Sequence, residues 1–482
     1  MEEAEKKQGV RTVKAGDIKP PWEVRTLPEP PPLGLRAVLR WAGPAVILGA
    51  LSVGGFEAYH AGFVASKMFI GIFWIYWVAC ICQLFLNQEI ARYTIATGET
   101  LMQGFSRMNP PKLWCWFSII FCWLQTAWPA WITGAAAGVA AVLGLGTWQA
   151  WSLIGLVAVF LVFAFSRYVY DTLEIIMFAS FIVANAGVVF FTITMATPQA
   201  ALETTKGWLS VGLIPAGVTL TMIGPFISQP AGGFWNLWHT YWVREKGMGM
   251  GRYFGKVTGL SYKPEDISRS GYIFDADNPA EVAKFKKWLR LNNITLAVFF
   301  IVLGGILFTY FISMAGYSAK TIYKMDVPSG WKIAVVMAEI FKTAFGQFGY
   351  IFFGVILVFA LFDTQFSVYD GIARMWADTF YIEHPDTLGK KSYRFWHFLM
   401  LAGLVACGAL AVFLKTPYVL WLIANWSGAA SLAFTGFMVI IVNRKLLPKE
   451  VRPRGFSLWI NLFYATFLAV YFIVWTIVDR PF

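Results

Sequence analysis

Long apolar segments alternate with short polar ones from about residue 40 to the C-terminus. About eleven of these segments are long enough to cross a bilayer as a helix, which takes about 20 apolar residues. This pattern predicts an all-α polytopic membrane protein. We number the expected spans 1 to 11 in chain order, at about 42–67, 69–96, 113–144, 148–166, 172–196, 217–244, 291–315, 348–378, 395–414, 416–442 and 456–478.

Two of these segments are interrupted by polar and flexible residues. Gly54-Gly55-Phe56-Glu57 interrupts span 1, and Pro230-Ala231-Gly232-Gly233-Phe234-Trp235-Asn236 interrupts span 6. Lipid offers no hydrogen-bond partners, so unwound backbone at this depth must face protein or a water-filled cavity. Paired broken spans in the two halves of a chain indicate a transporter's substrate site. Spans 1 and 6 are five apart and therefore run in opposite directions, as an inverted five-plus-five repeat requires, with span 11 as an addition.

The polar segments predict a simple domain organisation. Residues 1–41 are charged and Pro-rich and lack the apolar stretch of a signal peptide, so we expect a cytoplasmic N-terminal tail. Residues 42–478 form the membrane domain. Within it, 245–289 is a cytoplasmic loop that ends in a short amphipathic helix over 279–289. A second amphipathic piece, 330–343, is expected at the outer surface before span 8.

Composition and charge agree with a membrane protein. Of 482 residues, 58% are hydrophobic and only 14% are charged, below the roughly 25% of soluble proteins. The formal net charge of +12 invites a nucleic-acid interpretation. However, with a cytoplasmic N-terminus most Lys and Arg residues fall at cytoplasmic span ends, as in other membrane proteins. We therefore expect an inner (plasma) membrane location with lipids, and not nucleic acid, as partners.

The sequence leaves the oligomeric state open, a monomer being the simplest expectation.

The segment from Gly43 to Gly98 resembles the first two helices of the Nramp family of proton-coupled divalent-metal transporters. The landmarks are Gly43-Pro44, Ala91-Arg92 and Thr97-Gly98. Weaker matches follow in order at Gly354–Gly371 and at Asn443–Leu446. The resemblance implies a LeuT-like fold, with five-plus-five inverted repeats, and cation transport by alternating access.

The chain departs from this family at both breaks. The family's Asp-Pro-Gly-Asn in span 1 falls on Gly54, Gly55, Phe56 and Glu57, so an acid stands at the Asn position and a glycine at the Asp position. Its Met-Pro-His-Asn in span 6 falls on Gly233–Asn236, so the thioether that favours softer metals is absent. The second histidine of the family's span 6 falls on Thr240, one position after His239.

Glu57 is the leading candidate for the site, because an ionisable group near mid-bilayer usually marks a pathway or binding site. Asn236 would add a carbonyl oxygen at the matching break. Backbone carbonyls would complete an all-oxygen shell, which suits hard cations such as Mg²⁺ or Mn²⁺. The alternatives are a Glu57 carboxylate tied to a neighbouring helix end and an Asn236 that caps the second half of span 6. The expected backbone ligands are Gly54, Gly55, Ala231, Gly232 and Gly233.

Polar residues of other spans are candidates for a proton relay or cavity lining. Asp363, Gln365 and Asp370 lie in span 8, where Asp363 and Asp370 share a face of the helix. The alternative for Asp370 is an ion pair with Arg374. His60 and His239, which follow the two breaks, are the remaining candidates.

Glu89 and Arg92, near the end of span 2, stand three residues apart. This spacing places them on one face of a helix and favours a salt bridge. We expect that pair to lock or gate the inner mouth.

Phe56 and Trp235 flank the breaks, where they would form walls of a pocket. Aromatic walls leave open a second cargo, a small organic cation held by cation–π contact with Glu57 as counter-ion. A third alternative is a non-transporting sensor on the same scaffold. The sequence carries no nucleophile, zinc or phosphate-binding motif, so we expect neither an enzyme nor a cofactor.

Overall fold

The computed structural model describes residues 20–54, 60–326, 332–414 and 417–479, apart from the side chains of 332–337 and 417–421. In these ranges, nine helices are long and apolar enough to cross a membrane. They correspond to spans 2–5 and 7–11 of the sequence. Their bounds are Ile70–Thr97, Leu113–Leu143, Trp148–Phe165, Val169–Met195, Pro279–Thr321, Ala338–Tyr381, Tyr393–Ala411, Leu422–Leu446 and Phe456–Val478.

The described residues of spans 1 and 6 form two short helices each. Span 1 consists of Gly43–Val53 and Gly62–Ser66, and span 6 of Leu220–Ser228 and Phe234–Glu245. Together with the nine longer segments, these helices of spans 1 and 6 account for the eleven predicted spans. Residues 55–59, with the predicted Gly55, Phe56 and Glu57, lie outside the described residues.

Three segments differ from the sequence prediction. The polar stretch after span 5 contains a helix, Pro198–Leu209, because Thr197 caps its first turn and Pro198 stands at the first helical position. The amphipathic helix at 279 is not separate but runs on into span 7 through a π-helix, Leu296–Leu307. The piece at 330–343 joins span 8 in the helix Lys332–Tyr381, which bends where Gly346 has a φ of 61°.

Span 3 is also divided, which the sequence prediction missed. It consists of Leu113–Thr126 and Ala130–Leu143, separated by the three residues Ala127, Trp128 and Pro129. Proline lacks the backbone donor of an inner helical position and its ring collides with the preceding turn, so Pro129 explains the interruption.

Glycines hold the two halves of span 1 against span 7. A Cβ on Gly49 would lie 2.5 Å from the Phe299 carbonyl oxygen, and one on Gly304 would lie 2.7 Å from Gly49 Cα. On the other half, a Cβ on Gly316 would lie 2.2 Å from the Gly62 carbonyl oxygen. Small residues allow this close backbone approach between membrane helices. Both halves of span 1 therefore pack against one continuous neighbour.

The end of the bundle that carries residues 20–42 and 246–278 is called the N-terminal face. There, strand β1 (Glu23–Val24) pairs in parallel with β2 (Tyr272–Ile273). The Leu27 backbone N–H donates to Glu281 Oε2 at 2.6 Å, and Trp288 Nε1 donates to the Pro28 carbonyl at 2.8 Å. Residues 20–33 therefore pack against the predicted cytoplasmic loop. Short helices at this face are Leu35–Arg40, Leu101–Ser106, Gly249–Tyr253, Leu388–Lys390 and Lys449–Val451.

The opposite face carries the helix Pro198–Leu209 and the connection to span 6. A 3-10 turn, Ile70–Ile72, begins span 2 there. Gly207 packs on Ile70, since a Cβ at that glycine would lie 2.8 Å from the Ile70 carbonyl oxygen. Trp77 Nε1 donates to the Trp208 carbonyl at 2.9 Å. The added helix thus covers the start of span 2.

Candidate functional site

The break of span 6 depends on two glycines in the left-handed region. Gly232 has a φ of +82° and Gly233 a φ of +110°. L-residues with a side chain rarely adopt such angles, whereas glycine does so readily. A Cβ on Gly233 would also lie 2.1 Å from Ser431 Oγ and 2.9 Å from the Gly428 carbonyl oxygen of span 10. The backbone of the break therefore fits tightly against span 10.

Uncharged amides hydrogen-bond the unwound backbone. Gln83 Nε2 of span 2 donates to the Ser228 and Gln229 carbonyls, each at 2.9 Å, and its Oε1 accepts from the Ala231 N–H at 3.1 Å. Gln125 Nε2 of span 3 donates to the Gly232 carbonyl at 2.9 Å. Both glutamines are fully buried. They supply the partners that lipid cannot, and so they stabilise the break.

Asn236 joins this amide cluster. Its Nδ2 donates to Gln83 Oε1 at 3.1 Å, and its Oδ1 accepts from the Gly233 N–H at 3.4 Å. The second contact is that of a helix cap, the alternative expected from the sequence. Its role as a ligand of a cation stays a prediction. Nearby, Gln229 Nε2 donates to Asn425 Oδ1 of span 10 at 2.9 Å.

Gly54 ends the described first part of span 1 and touches span 8. A Cβ at this position would lie 1.9 Å from Thr364 Oγ1 and 2.8 Å from the Ala360 carbonyl oxygen. A larger residue here would therefore require span 8 to shift. The Asp that the Nramp family carries at the corresponding position would not fit at position 54 in this arrangement. The neighbouring Gly55, Phe56 and Glu57 lie outside the described residues, so their predicted roles stay predictions.

Trp235 lies at the break, where its ring would be 2.8 Å from a Cβ on Gly232. It packs edge-to-face against Trp131 of span 3, with ring centroids 5.0 Å apart, and lies parallel to Trp238 at 6.4 Å. Trp131 and Gln125 flank the interruption of span 3 and were missed by the sequence analysis. Pro129 and a glutamine within an apolar span were the available signals.

The polar residues of span 8 have separate surroundings. Asp363 accepts a hydrogen bond from Thr364 Oγ1 at 3.3 Å. Gln365 Oε1 accepts from the Ile132 N–H of span 3 at 3.2 Å. Asp370 instead accepts from Arg374 Nε at 2.8 and 2.9 Å, which is the alternative expected from the sequence. The three residues have different hydrogen-bond partners, and a common relay through them stays a prediction.

Asp370 belongs to a buried ion cluster near the N-terminal face. Arg374 also donates through Nη1 to Glu245 of span 6 at 2.5 Å. One turn further, Arg244 of span 6 lies 3.4 Å from Asp378 of span 8. All five side chains are at most 2% exposed. The cluster ties the end of span 6 to the end of span 8, and of its members the sequence analysis named only Asp370 and Arg374.

Glu89 and Arg92 form the expected ion pair, with Arg92 Nε 2.6 Å from Glu89 Oε2. Ser457 of span 11 donates to Glu89 Oε1 at 2.6 Å, and Arg92 Nη1 donates to the Val451 carbonyl at 3.0 Å. The pair therefore anchors span 2 to the connection between spans 10 and 11. Its action as a gate stays a prediction.

The two histidines contact other spans. His60 Nε2 lies 2.9 Å from the Met222 carbonyl oxygen, in the first half of span 6. His239 Nε2 lies 3.3 Å from Asn292 Oδ1, at the start of span 7. Among the side chains of residues 20–54, 60–326, 338–414 and 422–479, no three His, Cys, Asp or Glu groups come together as a metal site.

Comparison with known proteins gives structural relatives only. No protein-family profile and no curated protein sequence matches the chain. The fold is similar to that of a variant of the Eremococcus coleocola manganese transporter, with a TM-score of 0.65 at 14% identity over 93% of this chain and 89% of the other. The same transporter in complex with an aromatic bis-isothiourea substituted compound gives 0.63 at 13% identity over 94% and 90%.

A second similar structure is Mhp1, a nucleobase-cation-symport-1 family transporter, in a closed conformation with bromovinylhydantoin bound. Its TM-score is 0.55 at 12% identity, over 92% of this chain and 93% of the other. Identities this low establish the fold and not the cargo. The chain is an all-α integral membrane protein with the LeuT-like fold, as the sequence predicted.

Proposed function

We propose that this chain is a secondary transporter that moves a small solute by alternating access and binds it at the breaks of spans 1 and 6. The observation that carries the proposal is the buried break of span 6, with Gly232 and Gly233 in the left-handed region and glutamines on its backbone. Unwound backbone in a membrane protein is maintained where a site requires it. The shared fold with a manganese transporter and a nucleobase-cation symporter supports this function.

The first candidate cargo is a hard divalent cation, Mg²⁺ or Mn²⁺, coupled to protons. It would be held by Glu57, the Asn236 oxygen and backbone carbonyls, in a divergent form of the Nramp site. Asn236 at the break and the similar fold of the manganese transporter support it. We further propose an inner-membrane location with the N-terminal face in the cytoplasm, supported by the concentration of Lys and Arg there.

The second candidate cargo is a small organic solute. Two observations favour it. Tryptophan rings lie at the break of span 6, and the backbone carbonyls of this break already accept hydrogen bonds from the glutamines of spans 2 and 3. A site lined in this way suits a solute with its own hydrogen-bonding groups better than a bare cation. The similar fold of Mhp1, which holds a hydantoin, supports this candidate.

Uptake into proteoliposomes tests the cation. We expect Mn²⁺ or Mg²⁺ uptake by the wild type and a loss of at least about tenfold in Glu57→Gln. We expect full activity in Glu203→Gln, whose carboxylate is partly exposed at the opposite face. A factor of ten corresponds to about 1.4 kcal/mol of lost binding. Divalent uptake by Glu57→Gln at the wild-type rate would refute the cation site.

Gly233→Ala tests the break itself. We expect uptake of any cargo to fall strongly, because the new Cβ meets Ser431 and the left-handed φ is strained. Gly346→Ala is the matched control, since that glycine also has a positive φ but nothing lies within 4 Å of its Cβ position. Equal uptake by both variants would show that the break of span 6 does not bind the cargo.

A further inference from the structure

Three buried polar atoms near the break of span 6 have no hydrogen-bond partner among the described residues. They are Gln125 Oε1, Trp235 Nε1 and Gln365 Nε2. Leaving such a group unpaired in a protein interior costs about 1–3 kcal/mol. Most buried polar atoms are paired, and a ligand bound in this region would pair these three.

The three side chains belong to one neighbourhood. Gln125 donates through Nε2 to the Gly232 carbonyl, and the ring of Trp235 is the nearest group to a Cβ on Gly232. Trp235 in turn packs against Trp131. Gln365 bonds the backbone of Ile132, the residue after Trp131. Spans 3, 6 and 8 therefore contribute one unpaired polar atom each, around the breaks of spans 3 and 6.

The three unpaired atoms belong to uncharged side chains. Trp235 Nε1 and Gln365 Nε2 are donors, and Gln125 Oε1 is an acceptor. The side chains that hydrogen-bond the break from neighbouring spans, Gln83 and Gln125, are also amides. A solute that fits would present two acceptors and one donor. The tryptophan rings would pack against a planar ring.

We propose that Gln125, Trp235 and Gln365 form a binding site for a small, uncharged, planar solute of the cyclic imide type. An imide edge carries two carbonyl oxygens and one N–H, which matches two donors and one acceptor. This inference rests on the transport function proposed above and narrows its organic cargo. A cation at Glu57 would then serve as the coupling ion.

Equilibrium dialysis of radiolabelled uracil against the full chain in lipid nanodiscs tests the site without transport. Uracil is the probe because it contains an imide. We expect saturable uracil binding in the wild type. 1,3-Dimethyluracil, which keeps the ring but lacks its N–H groups, should compete at least tenfold more weakly. Trp235→Phe, which keeps an aromatic ring but lacks the donor, should bind uracil about tenfold more weakly.

Trp376→Phe is the matched control. Trp376 of span 8 also has an unpaired Nε1, but it packs against Trp116 and Trp123, away from the break. We expect this variant to bind uracil as the wild type does. Melting temperatures of both variants would verify that they are folded.

The possible results separate this site from the transport function. Absence of uracil binding up to 10 mM, equal binding of 1,3-dimethyluracil, or equal effects of Trp235→Phe and Trp376→Phe would overturn the imide site. Cation uptake in the same preparations would leave the proposed transport function in place. Selective uracil binding without uptake of uracil or any cation would support the imide site and overturn the transport function.

Discussion

The two ends of the bundle are held together by different interactions. At the N-terminal face, ion pairs between spans are buried, as in Arg374–Glu245 and Arg244–Asp378, where every side chain is at most 1% exposed. At the opposite face, the pair Lys206–Glu203 has side chains 60% and 30% exposed. The described hydrogen bonds between elements at that face include Trp77 to the Trp208 carbonyl and Thr221 of span 6 to Asp479 at the end of span 11.

This difference has a consequence for movement. Separating spans 6 and 8 at the N-terminal face would separate charges that compensate one another in a medium of low dielectric constant, which is costly. Exposed pairs contribute little, because water solvates their charges in either state. We therefore expect the opposite face to open at a lower free-energy cost than the N-terminal face.

The largest expected effect is that of Arg374→Met. The substitution leaves Asp370 and Glu245 buried without their common cation, so we expect the free energy of unfolding to fall by about 3–5 kcal/mol. Unfolding in mixed micelles with a denaturing detergent measures it. A loss below about 1 kcal/mol, the range of an exposed pair, would show that these charges do not hold the N-terminal face together.

A smaller effect is expected from Glu383, in the connection after span 8. Burial raises the pKa of Glu383 from 4.5 to about 7. The folded protein therefore keeps this proton at a pH where the unfolded chain has released it, so stability falls as the pH rises from about 4.5 to 7, by at most ~3 kcal/mol. We expect the melting temperature of Glu383→Gln to vary less over this range than that of the wild type.

Glu203→Gln, at the opposite face, is the control for this pH dependence. Its carboxylate is partly exposed and accepts from the exposed Lys206 and from Gln199. We expect it to follow the wild-type melting curve over the same pH range. If Glu383→Gln and Glu203→Gln behaved alike, the partly buried acid Glu383 of the N-terminal face would have no special role.

The smallest effect is expected at the opposite face itself. Lys206→Met and Lys320→Met each remove the cation of an exposed pair, Lys206–Glu203 or Lys320–Asp326. The free energy of unfolding should change by less than about 1 kcal/mol. A loss comparable to that of Arg374→Met would contradict the distinction between the two faces.

Local patterns predicted much of the fold. The break of span 6 could be located because clusters of glycines and polar residues are rare within apolar segments that cross a membrane. The predicted break of span 1 lies, from Gly55 onward, outside the described residues. The division of span 3 was missed, although Pro129 is visible in the sequence. The interruption is short and its flanks are apolar, so the apolar pattern alone does not separate a kinked helix from a straight one.

The candidate site was predicted less completely. Asn236 was placed at the break, and its contacts are those of the capping alternative. Gln83 and Gln125 were not singled out, since a glutamine in an apolar span carries no signal about its partner. Glu57, the leading candidate from the sequence, still awaits its test by uptake.

The sequence by itself determined the class of the protein, the approximate number of its spans and the position of the break of span 6, because apolar length and glycine content are local properties. Only the tertiary structure decided that Gln83 and Gln125 complete the backbone of span 6 and that Arg374 pairs with Glu245 of span 6. These contacts connect residues far apart in the chain. Their partners are set by the packing of whole helices, which no local pattern encodes.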